Sequence, residues 1–267
     1  MGKRKILFVS QEITPYIENS EIATLSLKLS QGIQEKKHEI RTFMPNYGSI
    51  NERRNQLHEV IRLSGMLLNI NDHDNPLIVK VATLSSAKIQ IYFVESKDLF
   101  DTKTGVLNEE GLPHDNNTER AIFFARGVFE TVKKLRWVPD IVHCQGWFAG
   151  MAVLYLKKMY HDDPLFKDTK VVLSLFEDTP EIPYGKDTEE ILKYDNIKSK
   201  HITKEGLNFS SFVKLMSENL DGMILGPMEA QKGTEIEEVL KQESVPYTRF
   251  EGENDLVDKV VAFYDTI

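Results

Sequence analysis

At 267 residues the chain suits one large α/β domain or two small ones, a size that hides roughly 70–75% of its unfolded surface without staples. Hydrophobic residues at 41% and charged residues at 28% exclude disordered and fibrous classes. The net charge of −8 is uneven: residues 221–267 hold eleven acidic and four basic side chains, and no basic face compensates elsewhere, so nucleic acid is not an expected partner.

The opening Lys3-Arg4-Lys5 followed by Ile6-Leu7-Phe8-Val9 is too short an apolar stretch for a signal peptide and predicts a first strand over 5–10. No apolar run approaches the ~20 residues of a membrane span, so no membrane partner is expected. Ile22, Leu25, Leu29 and Ile33 recur at near-helical spacing and predict a helix, with Lys36, Lys37 and His38 suited to its C-terminal dipole. Residues 39–44 read as the second strand, ended by the turn Pro45-Asn46-Tyr47-Gly48. Between 57 and 94 the period changes. Strands over 60–69, 77–82 and 88–94, parted by polar turns at 71–76 and 85–86, predict a β-rich insertion. Residues 95–117 are polar and read as a long surface loop.

The helix over 118–136 is the clearest element. Asn116 and Glu119 predict a capping pair. Ile122, Ala125, Phe129 and Val132 form one apolar stripe and Phe124, Val128 and Leu135 a second, so the helix is buried on more than one side. A strand at 140–144, a helix at 147–160 and a strand at 170–176 follow. Residues 184–206 are charged and apolar-poor and read as a mobile excursion. The remainder predicts a helix near 209–218, a strand at 223–226, a helix over 235–242 capped by Thr234 and Glu237, a strand at 247–250 and a helix over 255–264. This alternation predicts a single three-layer, Rossmann-like α/β domain over 1–267 with a mainly parallel sheet. One cysteine, Cys144, excludes a disulfide framework and a Cys-based zinc site, and fits a reducing, cytoplasmic setting.

Three stretches carry a family likeness. The first is Lys5-Ile6-Leu7-Phe8-Val9-Ser10-Gln11-Glu12-Ile13-Thr14-Pro15-Tyr16, with Glu39-Ile40-Arg41-Thr42-Phe43-Met44-Pro45-Asn46-Tyr47-Gly48 one helix later. The second runs from Glu119 through Arg120 to Glu130, and the third is Trp137-Val138-Pro139-Asp140-Ile141-Val142-His143-Cys144-Gln145-Gly146-Trp147. In order and spacing they resemble the N-terminal domain of the glycogen and starch synthases, glycosyltransferases of the GT-B architecture. The resemblance implies half of a GT-B fold and transfer of glucose from a nucleotide sugar to an α-1,4-glucan. The family's second, donor-binding domain is not expected within this length. The chain is therefore expected to be inactive alone, with a separate protein supplying a donor domain as one partner and an α-glucan or malto-oligosaccharide as another. The competing expectation is a non-catalytic glucan-binding or partner-docking protein.

The same resemblance locates losses. Where the family places Lys-Thr-Gly-Gly for the donor's phosphates, this chain has Glu18, Asn19, Ser20 and Glu21, and no lysine or arginine lies between Lys5 and Lys28. The family's His-Asp-Trp is Gln145-Gly146-Trp147 here, and its Thr-Ile-His-Asn is Ser174-Leu175-Phe176-Glu177. Ligands of doubly wound sheets sit outside the carboxyl ends of the strands. The candidate binding residues there are Gln11, Glu12 and Tyr16, then Asn46 and Tyr47, then His143, Gln145 and Trp147. They form a rim suited to a neutral, hydroxyl-rich ligand, with Tyr16, Tyr47 and Trp147 as stacking faces. His143 also reads as a buried structural histidine, and Trp147 as a core plug. No catalytic residue is assigned. Asp72-His73-Asp74 has metal-capable types, but neighbours on one turn do not converge, so no metal is expected. No Ser-His-Asp, P-loop or Gly-x-Gly-x-x-Gly arrangement is present, and no cofactor is expected.

Overall fold

The structure, a computed structural model, describes residues 2–252 and 254–267. The chain runs β1 (Lys5–Ser10), α1 (Glu21–Glu35) and β2 (Glu39–Pro45). A β-rich stretch follows: β3 (His58–Glu59), β4 (Met66–Ile70), β5 (His73–Leu84) and β6 (Ile89–Glu95). Short α2 (Lys97–Phe100) and long α3 (Asn117–Leu135) lead to β7 (Ile141–Gln145), a 3-10 turn at Trp147–Ala149, α4 (Gly150–Lys158) and β8 (Lys170–Leu175). Then come α5 (Thr188–Tyr194), α6 (Phe209–Ser217), β9 (Gly222–Leu225), α7 (Ala230–Gln242), β10 (Tyr247–Arg249) and α8 (Leu256–Tyr264).

Alternation along β1 sets the layers. Ile6 and Phe8 join a cluster made with Ile22, Leu25, Leu29 and Ile33 of α1 and with Leu256, Val260 and Phe263 of α8. Leu7 and Val9, pointing the other way, join the larger cluster made with α3, α4, α6 and α7. A sheet buried on both faces is what parallel strands with crossover helices require. Among the described residues the strands order as β10-β9-β8-β7-β1-β2-β6-β5-β3, with β4 also on β5. From β10 to β6 every pair is parallel. β3, β4 and β6 pair with β5 antiparallel, which makes the β-rich stretch an extension of one sheet edge.

Several local expectations need correction. The six-residue turn expected at 71–76 is two residues, Asn71 and Asp72, both at positive φ (50° and 62°), and β5 begins at His73. Pro76 lies inside that strand, tolerated because residues 73–77 pair with β4 on one side while pairing with β6 starts at Ile78. The strand expected over 60–69 is β4 alone, since 61–63 form a turn. Asn116 precedes α3 but makes no side-chain cap, and Glu119 instead accepts from Asn71 Nδ2 at 2.7 Å. Helix α7 starts at Ala230, so Thr234 is internal and its hydroxyl donates to the Ala230 carbonyl at 2.8 Å. The surface loop at 95–117 buries Leu99, Phe100 and Val106. The excursion at 184–206 is likewise anchored. Its apolar residues are few, yet Tyr184, Leu192, Ile191, Ile197 and Ile202 are all buried, and α5 lies within it. Among the described residues no helix is long and apolar enough to cross a membrane.

Candidate functional site

The chain builds β1, β2 and β6 outward on one side and then returns to lay β7 against the other edge of β1. That reversal of direction places the expected crevice outside the carboxyl ends of β1 and β7. In this molecule the crevice is filled by Gln11. Its backbone N–H donates to the Gln145 carbonyl at 3.0 Å, its Oε1 accepts from the Phe148 N–H at 3.1 Å, and its Nε2 donates to Asp178 Oδ2 at 3.1 Å. Gly146, at φ 89°, makes room for this. A Cβ there would stand 2.6 Å from Gln11 Oε1.

The open space lies beside the start of α1. A cleft of about 640 Å³ is lined by Pro15, Tyr16, Ile17 and Glu18 from the β1–α1 loop, by Ser49, Asn51, Arg54 and Asn55 after β2, and by Gly105. Two residues beyond Glu18, Ser20 caps α1. The Ser20 hydroxyl accepts from the Ala23 N–H at 3.1 Å and donates to Glu12 Oε2 at 2.5 Å. Burial pushes the Glu12 carboxyl above its ordinary range, against the hydrogen bonds from Ser20 and Gln11 that hold it down. Loss of water and the Glu12 charge likewise push Asp178 up, an effect damped because Asp178 retains solvent access.

The expected rim is only partly a surface. Gln11, Tyr47, Gln145 and Trp147 are all essentially buried. Trp147 packs edge-on against Phe148 and Tyr184, so its faces serve the core and the stacking role expected of it is taken up inside the protein. The Tyr47 hydroxyl donates to the Gln11 carbonyl at 2.9 Å while its ring meets Phe100. Gln145 Oε1 accepts from the Ser10 hydroxyl at 2.5 Å. Asn46 sits 6% exposed between Glu52 and Glu95. Of the expected residues Tyr16, 8% exposed and edge-on to Phe93, lines the cleft, and half-buried Glu12 lies behind it, next to Gly105.

His143 is a structural histidine. Its ring nitrogens meet the Tyr264 hydroxyl and the Ser174 hydroxyl, each at 2.6 Å, tying α8 to β7 and β8. Complete burial lowers its pKa to about 3. The unfolded chain takes up a proton near pH 6.5 that the folded chain refuses until about pH 3. Stability should therefore fall by about 1.4 kcal/mol per pH unit from this one group as pH drops through that window. Urea melts between pH 7 and 4 check this, and a His143→Leu variant should lose that component of the slope.

Arg120 and Arg54 bear on the site without standing out as site residues in the sequence, and Asp178, which with Glu177 reads from sequence as a solvated loop charge, bonds to Gln11 instead. Arg120 is fully buried and donates to the carbonyls of Leu99 (2.8 Å) and Gly105 (2.9 Å) and to Asn117 Oδ1 (2.6 Å). The available signal was its spacing, four residues ahead of Phe124 on an apolar stripe. Asp178 and Arg54 lie on turns where no periodicity points. Among the described residues no group of three or more His, Cys, Asp or Glu could hold a metal ion.

Comparison with known proteins places this geometry. Residues 5–242 match the family model described as starch synthase catalytic domain. The chain is 40% identical over 173 residues to glycogen synthases of Chlorobium limicola and of Chlorobium luteolum, matches that cover 64% of this chain and 35% of each relative. It thus spans about a third of the length of these curated relatives. Its fold is similar to the catalytic domain of starch synthase IV from Arabidopsis thaliana, a structure bound to ADP and acarbose, with a TM-score of 0.73 at 13% identity over 93% of this chain and 51% of that one. A match over nearly the whole chain, carried on a mainly parallel sheet with the expected strand-end loops, makes this chain a member of the starch synthase catalytic domain family.

Proposed function

We propose that this chain is an acceptor-side domain of the glycogen and starch synthase family, one that holds an α-glucan in the cleft beside α1 and does not itself transfer glucose from a nucleotide sugar. The observation that carries this reading is the Ser20–Glu12 pair. A helix start receives a diphosphate through free amides, close backbone approach and a nearby cation. Here the chain's own serine occupies the cap, a carboxylate lies against it, and Glu18 and Glu21 add two exposed negative charges. A diphosphate at this helix start would lose more to repulsion and displaced hydrogen bonds than it gains.

The cleft suits a sugar ring better. Ser49, Asn51 and Asn55 offer groups that donate and accept, Pro15 and Ile17 offer apolar surface to C–H faces, and Glu18 and Arg54 bring one charge of each sign to the lining. Each hydrogen bond exchanged with water leaves a modest net gain, so weak affinity is expected. Titration calorimetry of the purified chain should give saturable heat with maltohexaose and none with ADP or ADP-glucose. Arg54→Ala should weaken maltohexaose at least about tenfold, as loss of one hydrogen bond to a charged group does. Labelled glucose should not enter glycogen. Tight ADP-glucose binding at the α1 start, or transfer by the purified chain, would overturn the reading.

A further inference from the structure

The loop after β2 divides two cavities. Ser49, Asn51, Arg54 and Asn55 line the cleft described above, whereas Gly48, Ile50 and Glu52 line a second cavity of about 380 Å³. The base of the loop is packed, with Tyr47 and Ile50 buried in the larger core cluster. From Asn51 to Gln56 no residue is buried, so packing does not fix where that stretch stands. Its backbone closes on itself. The Asn55 N–H donates to the Asn51 carbonyl at 3.0 Å, the Leu57 N–H to the Glu52 carbonyl at 3.0 Å, and the Arg54 N–H to Asn51 Oδ1 at 2.9 Å. These bonds shape the turn but do not attach it to the sheet.

Attachment comes through one side chain. Among the described residues, the hydrogen bonds that join 51–56 to the rest of the protein all end on Glu52. Its Oε1 accepts from Lys80 Nζ at 2.6 Å and from Asn46 Nδ2 at 2.8 Å. Lys80, on β5, also pairs with Glu95 Oε2 at 2.5 Å, so one ammonium ties the turn to the end of β6. Asn46 Nδ2 likewise donates to Glu95, at 2.7 Å. Burial disfavours the charges, yet the pairing holds the Glu52 carboxyl below its ordinary range and the Lys80 ammonium above its own, so both are charged at neutral pH. The two carboxylates differ in freedom. The Glu95 side chain is 10% exposed and rooted in a strand, whereas that of Glu52 is 41% exposed and stands on the turn. Without the ammonium the two like charges repel, and the turn is the part able to move.

We propose that Lys80 and Glu52 are positioning residues for the cleft: their ion pair fixes the 51–56 turn, and with it Asn51, Arg54 and Asn55, where a glucan meets them. This role rests on the reading of the cleft as an acceptor site. It is separate from stability, because a pair with one partner so exposed adds little to the fold. Removing Glu52 leaves Lys80 matched by Glu95.

The test compares wild type with Glu52→Ala, Lys80→Met and the double variant, by ¹⁵N heteronuclear NOE and by maltohexaose calorimetry. The NOE should fall over 51–56 in all three and stay at its wild-type level on β5 and β6, with the urea midpoint of Glu52→Ala near that of wild type. Maltohexaose should weaken at least about tenfold in each single variant, because Arg54 moves with the turn. The double variant should weaken it no further, as two residues acting through one contact do. If Lys80→Met loses its dispersed spectrum, Glu52→Ala carries the test. A turn that stays rigid in Glu52→Ala overturns the proposal, as do additive losses of affinity or a mobile turn with wild-type affinity. Wild type that gives no maltohexaose heat sinks the cleft reading, and the NOE alone then decides whether this ion pair anchors the turn.

Discussion

Replacing Arg120 with alanine is expected to destabilise the chain by about 3–5 kcal/mol, the largest effect of any single substitution considered for this molecule. The guanidinium is 0% exposed and donates to neutral oxygens. Its charge is met by the Leu99 and Gly105 carbonyls, by Asn117 Oδ1, and by the rings of Phe100, Tyr47 and Phe148 at 5.2, 5.9 and 5.9 Å. Truncation leaves those oxygens without donors inside the core and opens a cavity beside them. Lysine does not rescue it, because one ammonium cannot reach three acceptors arranged around a planar fork. Arg120→Met fills the volume but not the hydrogen bonds, so it should fall between wild type and Arg120→Ala. Urea melts monitored by circular dichroism measure the series. A loss under about 1 kcal/mol for Arg120→Ala would mean that the loop over 99–105 is held by something else.

That loop marks the limit of what a single sequence reveals here. Strands with continuous β-branched runs, such as Lys170–Leu175, and helices with clear stripes, such as Asn117–Leu135, were legible because their periodicity is imposed by burial on both faces of the sheet. The 95–117 segment has no period, and its order depends on one buried arginine arriving from a helix that begins at Asn117. The 184–206 segment misled for a related reason. Sparse apolar residues suggested mobility, but Tyr184 donates its hydroxyl to the carbonyls of Trp147 and Phe148, a contact set by tertiary placement.

The sequence located the carboxyl ends of the strands but not which side chains there face open space: of the expected residues only Tyr16 lines the cleft. Strand-end residues were correctly placed at the carboxyl edge of the sheet, since that follows from topology. Whether an aromatic ring there faces water depends on what packs above it, and Trp147 is covered by Phe148 and Tyr184. The carboxylates and amides after β2 were visible as residues, but Asn51 and Glu52 line different cavities because successive residues of one loop point opposite ways.

Rebuilding the family pattern at the start of α1, with Glu18→Lys, Ser20→Gly and Glu21→Gly together, is expected to bring ADP binding from undetectable to measurable. The three changes move the local charge by +3, and Ser20→Gly removes the hydroxyl that holds Glu12 against the cap. At solvent-like screening each charge a few ångströms from a diphosphate contributes about 1 kcal/mol, so the combined gain is about 100-fold in affinity. The fold should survive. A serine-to-glycine change at a helix cap costs a few tenths of a kcal/mol, and losing one first-turn glutamate costs up to ~1 kcal/mol. Salt dependence marks the gain as electrostatic, and a paired comparison separates this mechanism from a general increase in positive charge. The gain should shrink as salt rises through the range where the Debye length falls below ~10 Å. Adding Glu12→Gln to the triple variant should raise ADP affinity further, whereas the same three-unit charge change made on exposed residues of α7 should leave ADP unbound. If the triple variant binds ADP no better than wild type, the Ser20–Glu12 pair is not what keeps nucleotide from this helix, and the acceptor-side reading loses the observation on which it stands.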